Sequence, residues 1–206
     1  AFPRFASVLK DRHYRLLGRK NAEGRDQWMK ECGRTVELLY NHPSVIVWVL
    51  FNEGWGQFDA RKAYDMVRSL DATRLVDHAS GWFNQGCGDF YSIHNYFHPL
   101  KIKPHKYPTV LSEYGGYAYY VKGHSYSLMV YGYRIYLTRN DFIRAFRELD
   151  EKIHSLIDEG LAAAVYTQLS DVEDEVNGLL TYDREICKLD SNEEQKEETG
   201  QKEADI

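Results

Sequence analysis

The sequence predicts an α/β fold built on parallel strands, and three observations carry that prediction. Val45-Ile46-Val47-Trp48-Val49-Leu50-Phe51 is an unbroken apolar run, mostly β-branched or aromatic. Such a run reads as a strand buried on both faces, the usual state of strands in a parallel sheet. Asn52 and Glu53 follow at once. A buried strand that delivers a carboxylate at its C-terminal end is how parallel α/β barrels build active sites. The arrangement returns at Thr109-Val110-Leu111-Ser112-Glu113, followed by Tyr114-Gly115-Gly116. Stretches of helical periodicity separate the strands.

Residues 1–24 are rich in Arg and Lys and have no sustained periodicity; they read as a barrel loop parted from its upstream neighbour. At 26–40, Trp28, Cys32, Val36 and Leu39 recur at helical spacing. Asn41-His42-Pro43 stops that helix, because the residue before a proline avoids the α region. Residues 59–70 read as a second helix, with Asp59 as N-cap and Ala63, Val67 and Leu70 on one face. Leu75-Val76-Asp77-His78 is a short strand ending in polar groups, 80–89 a Gly-rich loop, and 90–96 the next strand. The connection between these strands is too short for a crossover helix. The linker 97–108, with Pro99, Pro104 and Pro108, is a poor helix.

Residues 114–139 form the longest irregular stretch and hold half of the chain's 16 tyrosines. The clearest helix is 140–159, where Phe142, Ala145, Phe146, Leu149, Ile153, Leu156 and Ile157 make one stripe and Gly160 stands at the C-cap. Ala162-Ala163-Ala164-Val165-Tyr166 is the last strand. Residues 187–206 read as an acidic tail, disordered and solvated.

The chain has 206 residues and a formal net charge of -5. That length supports one domain with a real core. The charge argues against a nucleic-acid footprint. No apolar run approaches the roughly 20 residues that cross a bilayer. Cys32, Cys87 and Cys187 show neither metal-ligand spacing nor an even disulfide set, so free thiols are expected. The first residue is Ala1, no signal-peptide pattern follows, and a processed or cut N-terminus is expected. No feature marks a compartment.

Asn52-Glu53-Gly54-Trp55-Gly56-Gln57, together with Ser112-Glu113-Tyr114-Gly115-Gly116, resembles the catalytic barrel of glycoside hydrolase family 2, the β-galactosidase and β-glucuronidase family. Residues 166–175, running on through Asn177-Gly178 to Thr181-Tyr182-Asp183-Arg184, resemble the end of that barrel. The resemblance implies a partial (β/α)8 TIM barrel, about strands four to eight, with an irregular Tyr-rich loop after strand seven. A full barrel takes about 250 residues. Three earlier strands, and the β-sandwich domains that precede the barrel in the family, are therefore expected on a longer parent chain. The implied organisation is a truncated barrel loop at 1–24, the C-terminal portion of the barrel at 25–186 and the tail at 187–206. Strands four and eight would have open edges in an isolated monomer, which favours pairing with another chain, a homo-oligomer included.

Glycoside hydrolysis needs two carboxyl groups flanking the scissile bond. By resemblance Glu53 is the general acid/base and Glu113 the nucleophile of a retaining enzyme, which sets their separation at about 5–5.5 Å. An ionised Glu113 would raise the pKa of Glu53 and keep it protonated. Asn52 would bind the sugar 2-hydroxyl. Tyr96 matches the position whose phenol contacts the nucleophile. Trp55, Trp82 and Tyr166 are candidate sugar platforms. Tyr166-Thr167-Gln168 stands where family members commonly have a Trp, so the sugar stays open, with a β-galactoside type favoured. His94 is expected to be a hydrogen-bonding pocket residue. With His78 and His98 it also invites a zinc hydrolase reading, but no Cys joins the set and the family needs no zinc. Neither metal nor cofactor is expected. Taken singly, each glutamate reads as a surface carboxylate, Asn52 as a turn residue and each aromatic as core; Trp28 and Trp48 are assigned to core. Asp171, Glu173, Asp174 and Glu175 read as a solvated face or the rim of the mouth. The competing reading is a catalytically silent barrel fragment that binds or scaffolds.

Overall fold

The computed structural model describes residues 9–54, 56–97, 99–103 and 105–190. Trp55, His98 and the stretch 191–206 of the expected tail lie outside them. The chain divides into two units, 1–114 with 153–165, and 115–152 with 166–206. No helix among the described residues is long and apolar enough to cross a membrane.

The first unit opens with helix α1 (Ala22–Leu39). It starts before its apolar stripe because Asn21 caps it, the side-chain oxygen accepting from Gly24 N at 3.2 Å. The expected stripe faces inward. Val36 packs with Trp48, Val67 and Val76, flanked by Cys32 and Leu39. Trp28 stacks on Phe51 with centroids 4.4 Å apart.

Strands β1 (Val47–Val49) and β2 (Leu75–Asp77) pair in parallel, Trp48 opposite Val76. Helix α2 (Ala60–Leu70) joins them and buries Ala60, Ala63 and Val67 completely. Asp59 does not cap α2 as expected. Its backbone is left-handed, with φ 42° and no side-chain cap bond. The Asp59 carboxylate instead accepts the Tyr14 hydroxyl at 2.7 Å, and the distant Asp11 accepts Ala60 N at 2.9 Å. A residue held in that conformation turns its carboxylate away from the helix's free N–H groups, so a partner remote in sequence takes the role.

Trp48 is anchored as well as buried. Its indole N–H donates to Asp71 at 2.9 Å, and Asp71 also accepts from the Thr73 hydroxyl at 2.6 Å and from Arg74 at 2.7 Å. Burial alone would push the Asp71 carboxyl up, but the bonds from Thr73, Arg74 and Trp48 hold it far below the ordinary carboxylate range.

Strands β3 (Tyr91–Asn95) and β4 (Thr109–Gly115) pair in parallel. With β7 (Leu161–Thr167) they form a sheet in the order β3-β4-β7. No helix forms between β2 and β3, as the short connection predicts. The sheets β1-β2 and β3-β4-β7 are separate, so the fold is an α/β partial barrel that does not close among the described residues.

The second unit holds the Tyr-rich stretch, which is more regular than expected. Strands β5 (Tyr117–Tyr119) and β6 (Arg134–Tyr136) form a parallel pair inside it. Gly115 ends β4 at φ 87°, and a Cβ there would come within 2.4 Å of the Tyr166 ring. Only glycine meets both demands. Helix α3 (Arg139–Ile157), whose residues from Ile153 on are counted in the first unit, buries Phe142, Ile143, Ile153 and Leu156. Ile157, expected in the same stripe, is 55 % exposed at the helix end.

The start of the expected tail is folded. Lys188 is fully buried and its ammonium lies 2.7 Å from Asp171 and 3.0 Å from Val176 O. Asp171 therefore belongs to neither a solvated face nor a rim. The described cysteines Cys32, Cys87 and Cys187 are free, and burial pushes the Cys87 thiol up to about 11.

Candidate active site

Asn52 and Glu53 lie just past β1, where backbone pairing with the β2 side continues beyond the regular strands. Ser80 N bonds Phe51 O at 2.8 Å and Glu53 N bonds Ser80 O at 2.9 Å. This extension holds Glu53 at φ 53°. A left-handed backbone is uncommon outside glycine, and such residues gather where surrounding structure overrides local preference, functional sites among them.

On the other sheet, the β3–β4 register shifts between Ile93 and His94, so that His94 stands opposite Glu113. A bulge of this kind re-aims a side chain. His94 Nδ1 then lies 2.9 Å from Glu53 Oε1 and 3.1 Å from Glu113 Oε2. Tyr96, one residue past β3, donates its hydroxyl to Glu113 Oε2 at 2.5 Å.

One carboxylate oxygen from each of Glu53 and Glu113, and one His94 ring nitrogen, all lie within 4.8 Å of one another. The structure thus brings Glu53, Glu113, His94 and Tyr96 to one place, with Asn52 beside Glu53. Ser80 Oγ donates to Asn52 Oδ1 at 2.6 Å, which leaves the Asn52 amide hydrogens without an acceptor among the described residues. Glu53 Oε2 and Glu113 Oε1 are likewise unengaged. Such groups are poised to meet a polar ligand.

Trp82 stands at the margin, its ring 6.5 Å from that of His94. Tyr166 belongs to the second unit, where it packs edge-on to Phe146 at 5.1 Å and its hydroxyl accepts from Tyr117 N at 3.2 Å. His78 does not join His94: its Nε2 accepts from Gln85 N at 2.9 Å. Burial, with Arg61 nearby, lowers its pKa to about 4.

Sequence reasoning missed the layer that supports the site. Ser92 and Ser112 hydroxyls meet at 2.5 Å. Asp77, almost fully buried, accepts from Ala79 N at 3.2 Å. Burial pushes the Asp77 carboxyl up, against a hydrogen bond from Ser92. The signal was present in the polar residues that interrupt apolar strands at Asp77, Ser92 and Ser112.

In the second unit, His124, Asp183 and Glu185 also bring donor atoms within 4.8 Å of one another. His124 Nδ1 and Asp183 are already paired at 2.8 Å.

The family described as "Glycosyl hydrolases family 2, TIM barrel domain" matches residues 8–196. The chain is 28 % identical over 115 residues to a beta-galactosidase of Priestia megaterium, covering 52 % of this chain and 11 % of that protein. It is 33 % identical over 73 residues to a beta-galactosidase of Kluyveromyces lactis, covering 35 % of this chain and 7 % of that protein. Among solved structures it is similar to an FMN-binding beta-glucuronidase from Facaelibacterium prausnitzii L2-6, with TM-score 0.57 and 17 % identity, over 82 % of this chain and 31 % of that one. Bacteroides uniformis beta-glucuronidase 2, covalently bound to cyclophellitol-6-carboxylate aziridine, matches with TM-score 0.54 and 16 % identity, over 80 % and 25 %. The structural likeness establishes the shared fold. The chain spans about a tenth of the length of the curated relatives it matches.

Proposed function

The chain belongs to glycosyl hydrolases family 2, through that family's TIM-barrel domain, and from this premise we propose that it carries the reacting groups of a retaining β-glycosidase. The observation that carries the reading is the convergence of Glu53 and Glu113 oxygens within 4.8 Å. Retaining enzymes hold their carboxyl groups about 5–5.5 Å apart, while inverting enzymes leave room for water at about 6.5–9.5 Å. The strands would correspond to about four to eight of the full barrel.

In the first step Glu113 Oε1 bonds to the anomeric carbon as the bond to the leaving oxygen breaks. Glu53 supplies the proton that oxygen takes. In the second step Glu53 removes a proton from water, the water oxygen bonds to the anomeric carbon, and Glu113 is released. Tyr96 donates to Glu113 Oε2, with His94 Nδ1 3.1 Å from the same oxygen, and so Oε1 is kept as the free nucleophilic oxygen. Asn52, held by Ser80, offers its amide to the 2-hydroxyl, and Trp55 and Trp82 are proposed platforms. A β-galactoside-type substrate is favoured by the named relatives.

A second reading has its own observation. The sheets do not close among the described residues, and Ile46 and Val49 at β1 are exposed. On that reading the chain is a silent binding or structural domain. Further barrel strands and β-sandwich domains, or a second copy, would then be its partners. Turnover of aryl β-glycosides, abolished by Glu113→Gln, separates the two.

A further inference from the structure

His94 is buried more deeply than either carboxylate it touches. Its side chain is 0 % exposed, against 19 % for Glu53 and 29 % for Glu113. The ring is fixed from behind by Gly81, where φ is 82° and a Cβ would come within 2.8 Å of Nδ1. A larger residue at 81 would displace the imidazole. No polar group among the described residues meets Nε2, which is buried without a partner. Among the described residues the polar contacts of this ring therefore run through Nδ1, which is hydrogen-bonded to Glu53 Oε1 at 2.9 Å and lies at ion-pair distance, 3.1 Å, from Glu113 Oε2. On the double-displacement reading Glu113 is the ionised carboxylate, which only accepts hydrogen bonds, so the ring hydrogen belongs on Nδ1.

Resting on the double-displacement reading above, we propose that His94 is a positioning residue whose Nδ1–H bridges the acid and the nucleophile, sets the gap between them, and leaves the opposite oxygen of each free to react. Negative charge changes place during the reaction. Before it, Glu113 carries the charge and Glu53 the proton. Once the glycosyl–Glu113 bond has formed, Glu113 is a neutral ester and Glu53, having given its proton to the leaving oxygen, is the anion. A donor lying 2.9 Å from one carboxylate and 3.1 Å from the other serves the charge in both states without the ring moving. Preorganised donors act in this way because no reorganisation is needed as charge shifts.

The geometry separates two conservative replacements. Asn at 94 can place an amide nitrogen where Nδ1 sits, while Gln reaches the place of Nε2, which has no partner. His94→Gln is expected to lower kcat about 10²-fold, the scale of loss when reacting groups are misplaced by about 1 Å, with little change in KM. His94→Asn is expected to recover most of that loss. Equal losses in the two variants, with unchanged melting temperatures, overturn the proposal.

A second readout needs no turnover and so stands apart from any failure of the glycosidase reading. In the full chain labelled with 15N-histidine, NMR is expected to find His94 protonated on Nδ1, with a strongly downfield proton. That signal is expected to be lost in His94→Asn and to move in both Glu53→Gln and Glu113→Gln. A ring protonated on Nε2 alone, or a signal that moves with only one glutamate or with neither, overturns the bridge.

Discussion

Tyr96 donates its phenol to Glu113 Oε2 at 2.5 Å, and the two residues sit at the ends of neighbouring parallel strands. The bond holds one oxygen of the carboxylate in place. A hydrogen bond to a charged group contributes about 1.5–3 kcal/mol. Tyr96→Phe is therefore expected to lower kcat/KM roughly 10- to 150-fold. The melting temperature should stay near wild type, because the hydroxyl is spent on the site and not on the core. Unchanged kinetics in the Phe variant would remove Tyr96 from the mechanism.

Asn52 and Ser80 form the second pair to separate. If the Asn52 amide binds the 2-hydroxyl, Asn52→Ala should penalise aryl β-glycosides much more than their 2-deoxy analogues, which lack the group. Ser80→Ala only loosens Asn52, so a loss of about 1 kcal/mol, or several-fold, is expected. Comparing both substrates in both variants checks this. Equal penalties on the two substrates would return Asn52 to a structural role.

Asp71 gives the first unit a pH dependence whose sign is fixed. Its folded-state pKa lies below the ordinary value, through Thr73, Arg74 and Trp48 acting against burial. The resulting stabilisation is present above the unfolded value of about 3.9 and is lost as pH falls toward the folded one. Asp71→Asn should cost about 2 kcal/mol at neutral pH. Between about pH 5 and about pH 3 the variant should lose less stability than wild type. Urea midpoints at both pH values, read by tryptophan fluorescence, measure the difference; parallel losses would contradict it.

In the second unit, Lys188 and Asp171 are both fully buried. Burial lowers the Lys188 pKa and raises that of Asp171, so each charge depends on the other. Lys188→Met strands a buried carboxylate and should destabilise by about 3–5 kcal/mol. Lys188→Met with Asp171→Asn should be closer to wild type than Lys188→Met alone. Additive losses in that cycle would show that the pair does not couple.

The parts of this fold legible in sequence are those set by local pattern. The stripe from Phe142 to Leu156 and the trio Ala60, Ala63 and Val67 follow helical periodicity, and their burial follows from it. Glu53 and Glu113 were legible because an apolar strand ending in an acid is itself a pattern. What escaped depends on pairings between distant segments. Asp11 caps a helix from a far segment, and Ser80 positions Asn52 across a strand pair. The register shift at Ile93 and His94 turns an imidazole between two carboxylates, and no local feature of Ser92-Ile93-His94 encodes it. Lys188 sits in a charge-rich stretch, where composition favours solvent, yet its partner Asp171 draws it inside.

Glu53 and Glu113 are proposed as an acid/base and nucleophile pair. The most direct test is the rate at which the folded chain hydrolyses a panel of aryl β-glycosides, measured alongside Glu113→Gln and Glu53→Gln. Turnover is expected to disappear in Glu113→Gln and, in Glu53→Gln, to fall mainly for poor leaving groups, because those need the proton. Wild-type rates in Glu113→Gln, or silence of the folded wild-type chain across the panel, would contradict that assignment.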